Sequence, residues 1–204
     1  MIAGLRYVAS SSLFVVITGL AIVLNTATNG SIMAITLDLA ERGTDPFLIG
    51  LLSTAIGVSL LVGAVLAPLI VRRVRVGVIV PGGIAVLAAG FLVMAAVPAY
   101  AVMLSCLAVA FLLAPAVNAS LFSYASVVTP EQMQGRFSSV LALSGTVAIP
   151  LAPLIGSSLL SEAGLGATLL TFAVALVGIA IALTLFRPLT RIGRPDTWAE
   201  DAVA

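Results

Sequence analysis

Six long apolar stretches, separated by short polar or Gly/Pro-containing breaks, limit what this chain can fold into. Each is long enough for a helix that crosses a lipid bilayer, which needs about 20 mostly apolar residues. The predicted spans cover 8–37, 47–71, 76–97, 100–127, 136–161 and 164–186. Only 8% of the residues are charged, against about 25% in soluble domains, so the chain cannot surround itself with a water-soluble surface. We therefore predict an all-α, polytopic membrane protein with six transmembrane helices.

The composition also excludes several classes of function. The chain contains no histidine, which removes Ser-His and Cys-His nucleophile pairs, His-bound zinc and an axial His for haem. It has no Gly-x-x-x-x-Gly-Lys loop for ATP phosphates, and its single cysteine rules out an internal disulfide. The net charge of +1 gives no reason to expect a nucleic-acid partner. We expect no enzymatic activity, no bound metal and no cofactor.

The arginines predict the orientation of the spans. One precedes span 1, a cluster at 72–75 follows span 2, one lies between spans 4 and 5, and three follow span 6. These eight fall on one side of a six-span chain, and only Arg42 falls on the other. Because Arg-rich short loops remain in the cytoplasm, both termini should be cytoplasmic. We expect a multi-pass protein of the cell membrane (inner or plasma), with a bundle over 1–186 and a cytoplasmic tail over 187–204.

One segment of the chain occurs twice. The residues 50–70 return as 135–155, a shift of 85 residues with nine identities in 21 positions, and both copies end on Leu-Ala-Pro-Leu-Ile. The shift aligns span 2 with span 5 and so divides the bundle into repeats of about 8–97 and 100–186. Each repeat holds three spans, an odd number, so the copies must run in opposite senses across the membrane. Such a 3+3 inverted repeat is typical of secondary transporters.

Span 1 carries a stripe of polar side chains formed by Ser11, Thr18, Asn25, Asn29 and Thr36. At 100° per residue these positions lie within about 40° of one another on the helix. Asn25 and Asn29 come near the bilayer centre, where a carboxamide facing lipid would lack partners. Either the two asparagines hydrogen-bond to a neighbouring helix and hold the bundle together, or they line a water-filled cavity that contacts substrate.

Other spans add candidate residues. The predicted cavity residues are Thr18, Asn25, Asn29, Asn118 and Tyr124. Proline inside a spanning helix frees a carbonyl and bends the helix, which suits gating helices and also occurs in static bundles. The predicted bends are Pro68, Pro115, Pro150 and Pro153.

Small residues predict the faces through which helices pack. On span 2 they are Gly50, Ser53, Gly57, Ala64 and Ala67, and on span 6 they are Thr171, Ala175, Gly178 and Ala182. Span 3 has almost no pattern of this kind, so we expect it to face lipid.

The spans, the basic loop after span 2 and the repeat together resemble one half of a major facilitator superfamily carrier. The resemblance is to the C-terminal half, and bacterial drug and siderophore exporters look most similar. Their loop after the second helix reads roughly Gly-x-x-x-Asp-Arg-x-Gly-Arg-Arg. Here Arg72 and Arg75 keep basic positions around Arg73, whereas Val71 replaces the Asp and Val74 the second Gly.

A second loop adds to the resemblance. The stretch from Pro130 to Gly135 and Arg136 is similar to the Pro…Arg-Gly loop before the fifth helix of a half, with Gly and Arg in reverse order. By resemblance, Arg72, Arg73, Arg75, Gly135 and Arg136 form the cytoplasmic loop motifs. Substrate would bind between two halves, with spans 1 and 4 lining the cavity.

The family has twelve spans and this chain has six, so it is a fragment, a truncated gene product, or a half that pairs with a second six-span half or with its own copy. The expected function is transport, by resemblance export, of a small amphipathic molecule across the lipid bilayer, because an uncharged cavity disfavours a strongly ionic substrate. The alternative is a non-transporting six-helix membrane protein that serves as an assembly partner or is a truncated relic.

Overall fold

A computed structural model describes residues 12–128 and 131–185 of the chain. Within these, the side chains at 12–18, 121, 123–128, 131–134 and 136–149 are left undescribed. The helices are α1 (Ser12–Glu41), α2 (Pro46–Arg73), α3 (Val76–Ala96), α4 (Tyr100–Val128) and α5 (Glu131–Leu185). No strand occurs in these ranges. All five helices are long and apolar enough to cross a membrane, which indicates an integral membrane protein.

The last helix, α5, has 55 residues but does not run straight. At Gly164 the backbone has φ 77° and ψ 170°, a conformation that favours glycine because it carries no Cβ. The oxygen of Ala152 and the ring of Phe172 both lie close to Gly30, at 3.0 Å and 2.8 Å from where its Cβ would be. In a straight helix these two residues would be about 30 Å apart. The first arm (131–163) and the second arm (165–185) therefore fold back on each other at Gly164.

Two of the predicted loops are shorter than expected, so the prediction of their boundaries is wrong. The helix α1 continues through the charged residues that looked like a loop, since Arg42 Nη2 donates to Asp38 Oδ1 at 3.0 Å, one turn away. It ends where Gly43, with φ 71°, donates its N–H to the Ala40 oxygen at 3.0 Å. The loop predicted over 128–136 is likewise mostly helical, because α5 already begins at Glu131. The predicted break at 162–164 narrows to one glycine within α5, so the structure has five elements instead of six spans.

Most of the packed helix pairs are not neighbours in sequence. The helix α1 packs on α5, α2 packs on α4, and α3 lies against both α4 and α5. The Tyr100 hydroxyl donates to the Leu48 oxygen at 2.8 Å and joins the starts of α4 and α2, which therefore run parallel. In contrast, the described residues of α1 and α4 share no extensive contact. This leaves the space between them open.

Glycine allows the two tightest of these crossings. In the first, Gly30 of α1 meets Gly156 of α5 so closely that a Cβ on Gly156 would overlap the Gly30 carbonyl. In the second, a Cβ on Gly63 of α2 would overlap the Leu112 carbonyl of α4. Lipid tails are as apolar as the helix surfaces, so close backbone approach, not hydrophobic burial, favours helix association in a bilayer.

The buried faces differ from those predicted. The helix α3, expected to face lipid, has half of its spanning window buried, the largest share among the five helices. Of the small residues predicted to pack on α2, only Ala67 is buried. Those predicted on the second arm of α5 (Thr171, Ala175, Gly178 and Ala182) are all exposed. These predictions fail because core-facing and lipid-facing positions are apolar alike, so residue size does not identify the packed face.

Replacing Gly63 with Ala should destabilise the chain, because the new methyl group meets the Leu112 carbonyl, which can move only if α4 shifts. Overpacking of this kind costs about 1–3 kcal/mol. The matched control is Gly57→Ala on the same helix, where a Cβ would meet nothing within 4 Å. It should be neutral or stabilising, by up to about 1 kcal/mol from helix propensity. Unfolding in mixed detergent–SDS micelles, followed by circular dichroism, measures both, and equal stability of the two variants would contradict the crossing.

Candidate functional site

A cavity of about 250 Å³ lies between α1 and α4, the two helices that do not pack on each other. Its α3 and α2 walls include Leu87 and Leu60, and α4 contributes Ala114. Each of these residues lies near the middle of its own helix, as do the residues 24–32 that α1 contributes. The cavity therefore lies at the mid-depth of the bundle, where the bilayer centre would be.

Two polar groups of the cavity come from α1. The Asn25 side-chain amide donates to the main-chain oxygen of Ala21 at 2.8 Å. The Asn29 side-chain amide donates to the main-chain oxygen of Asn25 at 2.9 Å. Both bonds stay within α1, and neither carboxamide bonds to another helix in the described part of the chain. Each side-chain carbonyl oxygen, and the second N–H of each amide, thus remains available to a molecule in the cavity.

The third carboxamide comes from the opposite wall. Asn118 on α4 lines the same cavity and is exposed. Among the residues that the structure describes, the side-chain amide of Asn118 has no hydrogen-bond partner. The asparagines predicted on spans 1 and 4 are thus brought to one site, from helices that are about 90 residues apart in sequence.

Apolar side chains form the rest of the walls. Ile84 and Val117 are buried, at 2% and 7% exposure, and close the cavity from within. A Cβ on Gly83 would overlap a methyl group of Val117, so this glycine lets α3 and α4 approach closely behind the cavity. Phe111 adds an aromatic surface. Carboxamides beside an apolar, partly aromatic wall suit a molecule that has both polar and apolar parts.

The sequence did not single out Thr28 or Phe111, which also line the cavity. For Thr28, a helical wheel of α1 would have given a signal. Thr28 and Ile32 follow Asn25 by three and seven residues, so they lie on the same face of α1. Phe111 carried no such signal, because nothing in an apolar span distinguishes an aromatic residue that faces a cavity from one that faces lipid.

The other predicted cavity residues and bends do not extend the site. Thr18 and Tyr124 lie in α1 and α4, but their side chains are outside the described part of the structure. The helices α2, α4 and α5 continue through the predicted bends at Pro68, Pro115, Pro150 and Pro153. Pro115 instead packs against α2, with its Cδ 3.1 Å from where a Cβ of Gly63 would be. None of these prolines lines the cavity.

The loop motif residues lie away from the cavity as well. Arg72 and Arg73 occupy the last turn of α2, and Arg75 is the N-cap of α3. All three are exposed. Gly135 and Arg136 belong to the beginning of α5, where the Arg136 side chain is undescribed. The described residues contain no cluster of three Cys, Asp or Glu side chains that could hold a metal ion.

Comparison of the chain with protein-family models, curated proteins and solved structures finds no match.

Single cysteines at positions 25 and 29, in a Cys106→Ala background, should react with a small water-soluble thiol reagent in membranes, because both side chains line the cavity. The matched controls on α1 are Ala27→Cys and Ala34→Cys, whose positions are 2% and 0% exposed and should be protected. Labelling rates read by mass spectrometry compare the four variants. Asparagine positions as unreactive as the buried controls, in folded protein, would rule out a wetted cavity.

Proposed function

We propose that this chain is half of a secondary carrier that moves a small, uncharged, amphipathic molecule through the cavity between α1 and α4. One observation carries the proposal: Asn25, Asn29 and Asn118 meet at one mid-depth cavity with hydrogen-bonding groups unused within the described chain. A transport site needs such groups near the bilayer centre, where they replace the water that a solute loses.

The chemistry of the walls narrows the class of substrate. No charged side chain is found among the described residues that line the cavity, so none of them compensates the charge of an ion removed from water. The carboxamides offer acceptors and donors, and Phe111 offers an aromatic face. The volume of about 250 Å³ falls just below the ~300–1,000 Å³ of ligand pockets.

The position of Asn118 supports a facing partner. An amide facing an apolar medium without a hydrogen bond is unfavourable by about 4–8 kcal/mol. Asn118 is exposed near the middle of α4 and unpartnered in the described residues, so lipid is an unfavourable neighbour. Water in a translocation path, together with a second six-span half or a second copy that encloses it, removes this penalty. The resemblance to major facilitator carriers implies the same arrangement.

The helix contacts support the proposed 3+3 repeat. Counting the arms of α5 separately gives six crossings, and the 85-residue shift then relates α1 to α4, α2 to the first arm and α3 to the second. Under this shift Gly30 corresponds to Pro115. Gly30 meets the first arm at Gly156, and Pro115 meets its counterpart α2 at Gly63. The same shift relates the contact between α1 and the second arm to the contact between α4 and α3, and the structure contains both contacts.

The orientation is part of the proposal. The exposed arginines at the α2–α3 junction favour the cytoplasmic side under the positive-inside rule, which also makes both termini cytoplasmic. Export, rather than uptake, is proposed from the resemblance alone.

The test uses purified chain in detergent and a panel of size-matched compounds that are neutral and amphipathic, anionic, or cationic. Neutral compounds with hydrogen-bond donors should raise the melting temperature, and their uptake into liposomes should require the assembled carrier. The double variant Asn25→Leu/Asn29→Leu should abolish both effects while keeping its fold, since each amide bonds only within α1. The matched control is Thr36→Val, at a position of α1 that does not line the cavity. It removes a hydroxyl that, like the asparagine amides, bonds only to the main chain one turn earlier, at the Ile32 oxygen.

Three outcomes would contradict the proposal. The strongest stabilisers could be strictly ionic, or the double variant could bind as well as the original chain. Uptake catalysed by a strictly monomeric chain would refute the need for a second half. If the double variant instead fails to fold, the asparagines have a structural role, as the non-transporting alternative requires.

A further inference from the structure

A groove of about 540 Å³ runs along the outer surface of the bundle between α3 and the second arm of α5. It lies on the side of α3 opposite the asparagine cavity. Gly82, Ala85 and Ala89 line the groove, whereas Gly83 and Leu87 line the cavity. At 100° per residue these two sets lie on different faces of the helix. The groove is therefore a separate site.

The walls of the groove are apolar along its whole length. On α3 it extends from Gly77 to Leu92, which corresponds to about 22 Å at 1.5 Å per residue. One leaflet of a bilayer core is about 15 Å deep, so the groove can take an extended hydrocarbon chain. Among the described residues of the groove, Thr184 is the only one with a hydroxyl, and that hydroxyl donates to the Ile181 oxygen at 2.7 Å. A polar solute would find no free side-chain donor there.

One end of the groove lies beside a cluster of positive charge. Its first α3 residue, Gly77, comes two positions after Arg75, and Arg72 and Arg73 end the preceding helix. The second arm runs antiparallel to α3, with Gly166 near the Ala95 oxygen at the far end, so Thr184 also lies at the arginine end. All three arginines are exposed. No carboxylate of the described residues forms an ion pair with them.

We propose that this groove binds one anionic phospholipid, with an acyl chain along α3 and the phosphate at Arg73 and Arg75. Basic sites between spanning helices at the membrane surface bind anionic headgroups in this way. The inference requires a membrane-embedded chain and does not depend on transport.

The charge also argues against the main competing occupant. A second copy in the same membrane keeps its orientation, so packing through this groove would place its arginine cluster on the same side as the first. The like charges would repel each other. An anionic lipid instead neutralises the arginines, and its acyl chain covers the apolar walls of the groove.

The first experiment measures lipid retention by the full chain with native mass spectrometry. Phosphatidylglycerol and phosphatidylcholine with identical acyl chains are titrated separately into the detergent-solubilised protein. The chain should retain one phosphatidylglycerol in preference to phosphatidylcholine. The double variant Arg73→Gln/Arg75→Gln should lower that preference by about tenfold or more, from the electrostatic contribution expected per arginine. Arg42→Gln is the control, because Arg42 already pairs with Asp38 at 2.8 Å.

A second pair of variants tests the groove itself. Ala85→Leu/Ala89→Leu should fill it and abolish retention of the lipid, since both positions are exposed in the groove. The control is Ala64→Leu, an exposed position on α2 outside the groove. If the filled variant retains phosphatidylglycerol as the original chain does, the headgroup acts alone and the proposal fails. If filling the groove instead dissociates a dimer, the occupant is a second copy and the lipid assignment is wrong.

A measurement on the unaltered chain covers the case in which the filled variant does not fold. Phosphatidylglycerol with a photoactivatable group on its acyl chain is cross-linked to the protein in nanodiscs, and the labelled peptides are identified. The label should concentrate on 77–92 and 177–184. Equal labelling of the exposed α2 face around Leu61 and Val65 would show only general lipid contact and would overturn the proposal.

Discussion

Two close backbone crossings, at Gly30 with Gly156 and at Gly63 with Leu112, hold the bundle in the shape on which its cavity depends. Between helices in lipid, apolar side chains gain little by leaving a medium as apolar as themselves, so small residues that let backbones approach become the main source of affinity. The first crossing holds α1 on α5 and the second holds α4 on α2. Neither α1 nor α4 is then free to pack on the other. The space left between them is the asparagine cavity, so the same interactions that stabilise the bundle also create its candidate site.

The polar groups of that cavity determine whether lipid, water or protein can lie against it. Asn25 and Asn29 each satisfy one side-chain N–H within α1, and the side-chain oxygen and second N–H of each have no partner in the described chain. Asn118 has no such bond in the described part of the chain and is exposed near the middle of α4. An amide in this position is compatible with water or with another protein surface and is strongly disfavoured against hydrocarbon. The opposite side of α3 carries only apolar walls and ends at arginines. One helix thus separates a polar cavity from a surface suited to lipid.

Hydropathy was sufficient to identify long apolar helices, because a span of apolar residues between charges or Gly/Pro breaks has few alternatives in a membrane protein. It did not give their number or their ends, since α5 contains both of the last two predicted spans. Asn25 and Asn29 could be singled out as well, since polar residues in an apolar span stand out on a helical wheel, whereas Thr28 and the apolar lining residues were not. What failed was the assignment of apolar faces. Gly57 was expected to pack and is open, whereas Gly63, six residues later, carries the crossing. Both glycines have apolar surroundings, so composition does not distinguish the glycine that packs from the one that does not. The end of α1 was missed because Asp38 and Arg42 suggested a loop, although their spacing of four lets them pair on a helix.

Spin labels on α4 test whether its asparagine face is kept away from lipid. Nitroxides are attached at Asn118→Cys and at Val109→Cys in a Cys106→Ala chain reconstituted in nanodiscs. Nine residues separate the two positions, so they lie on opposite faces of α4, and Val109 is 55% exposed. Power-saturation EPR compares collisions with oxygen, which concentrates in lipid, and with a water-soluble nickel complex. We expect the label at 118 to collide mainly with the nickel complex and the label at 109 to collide mainly with oxygen. Oxygen-dominated collisions at both positions would contradict this expectation.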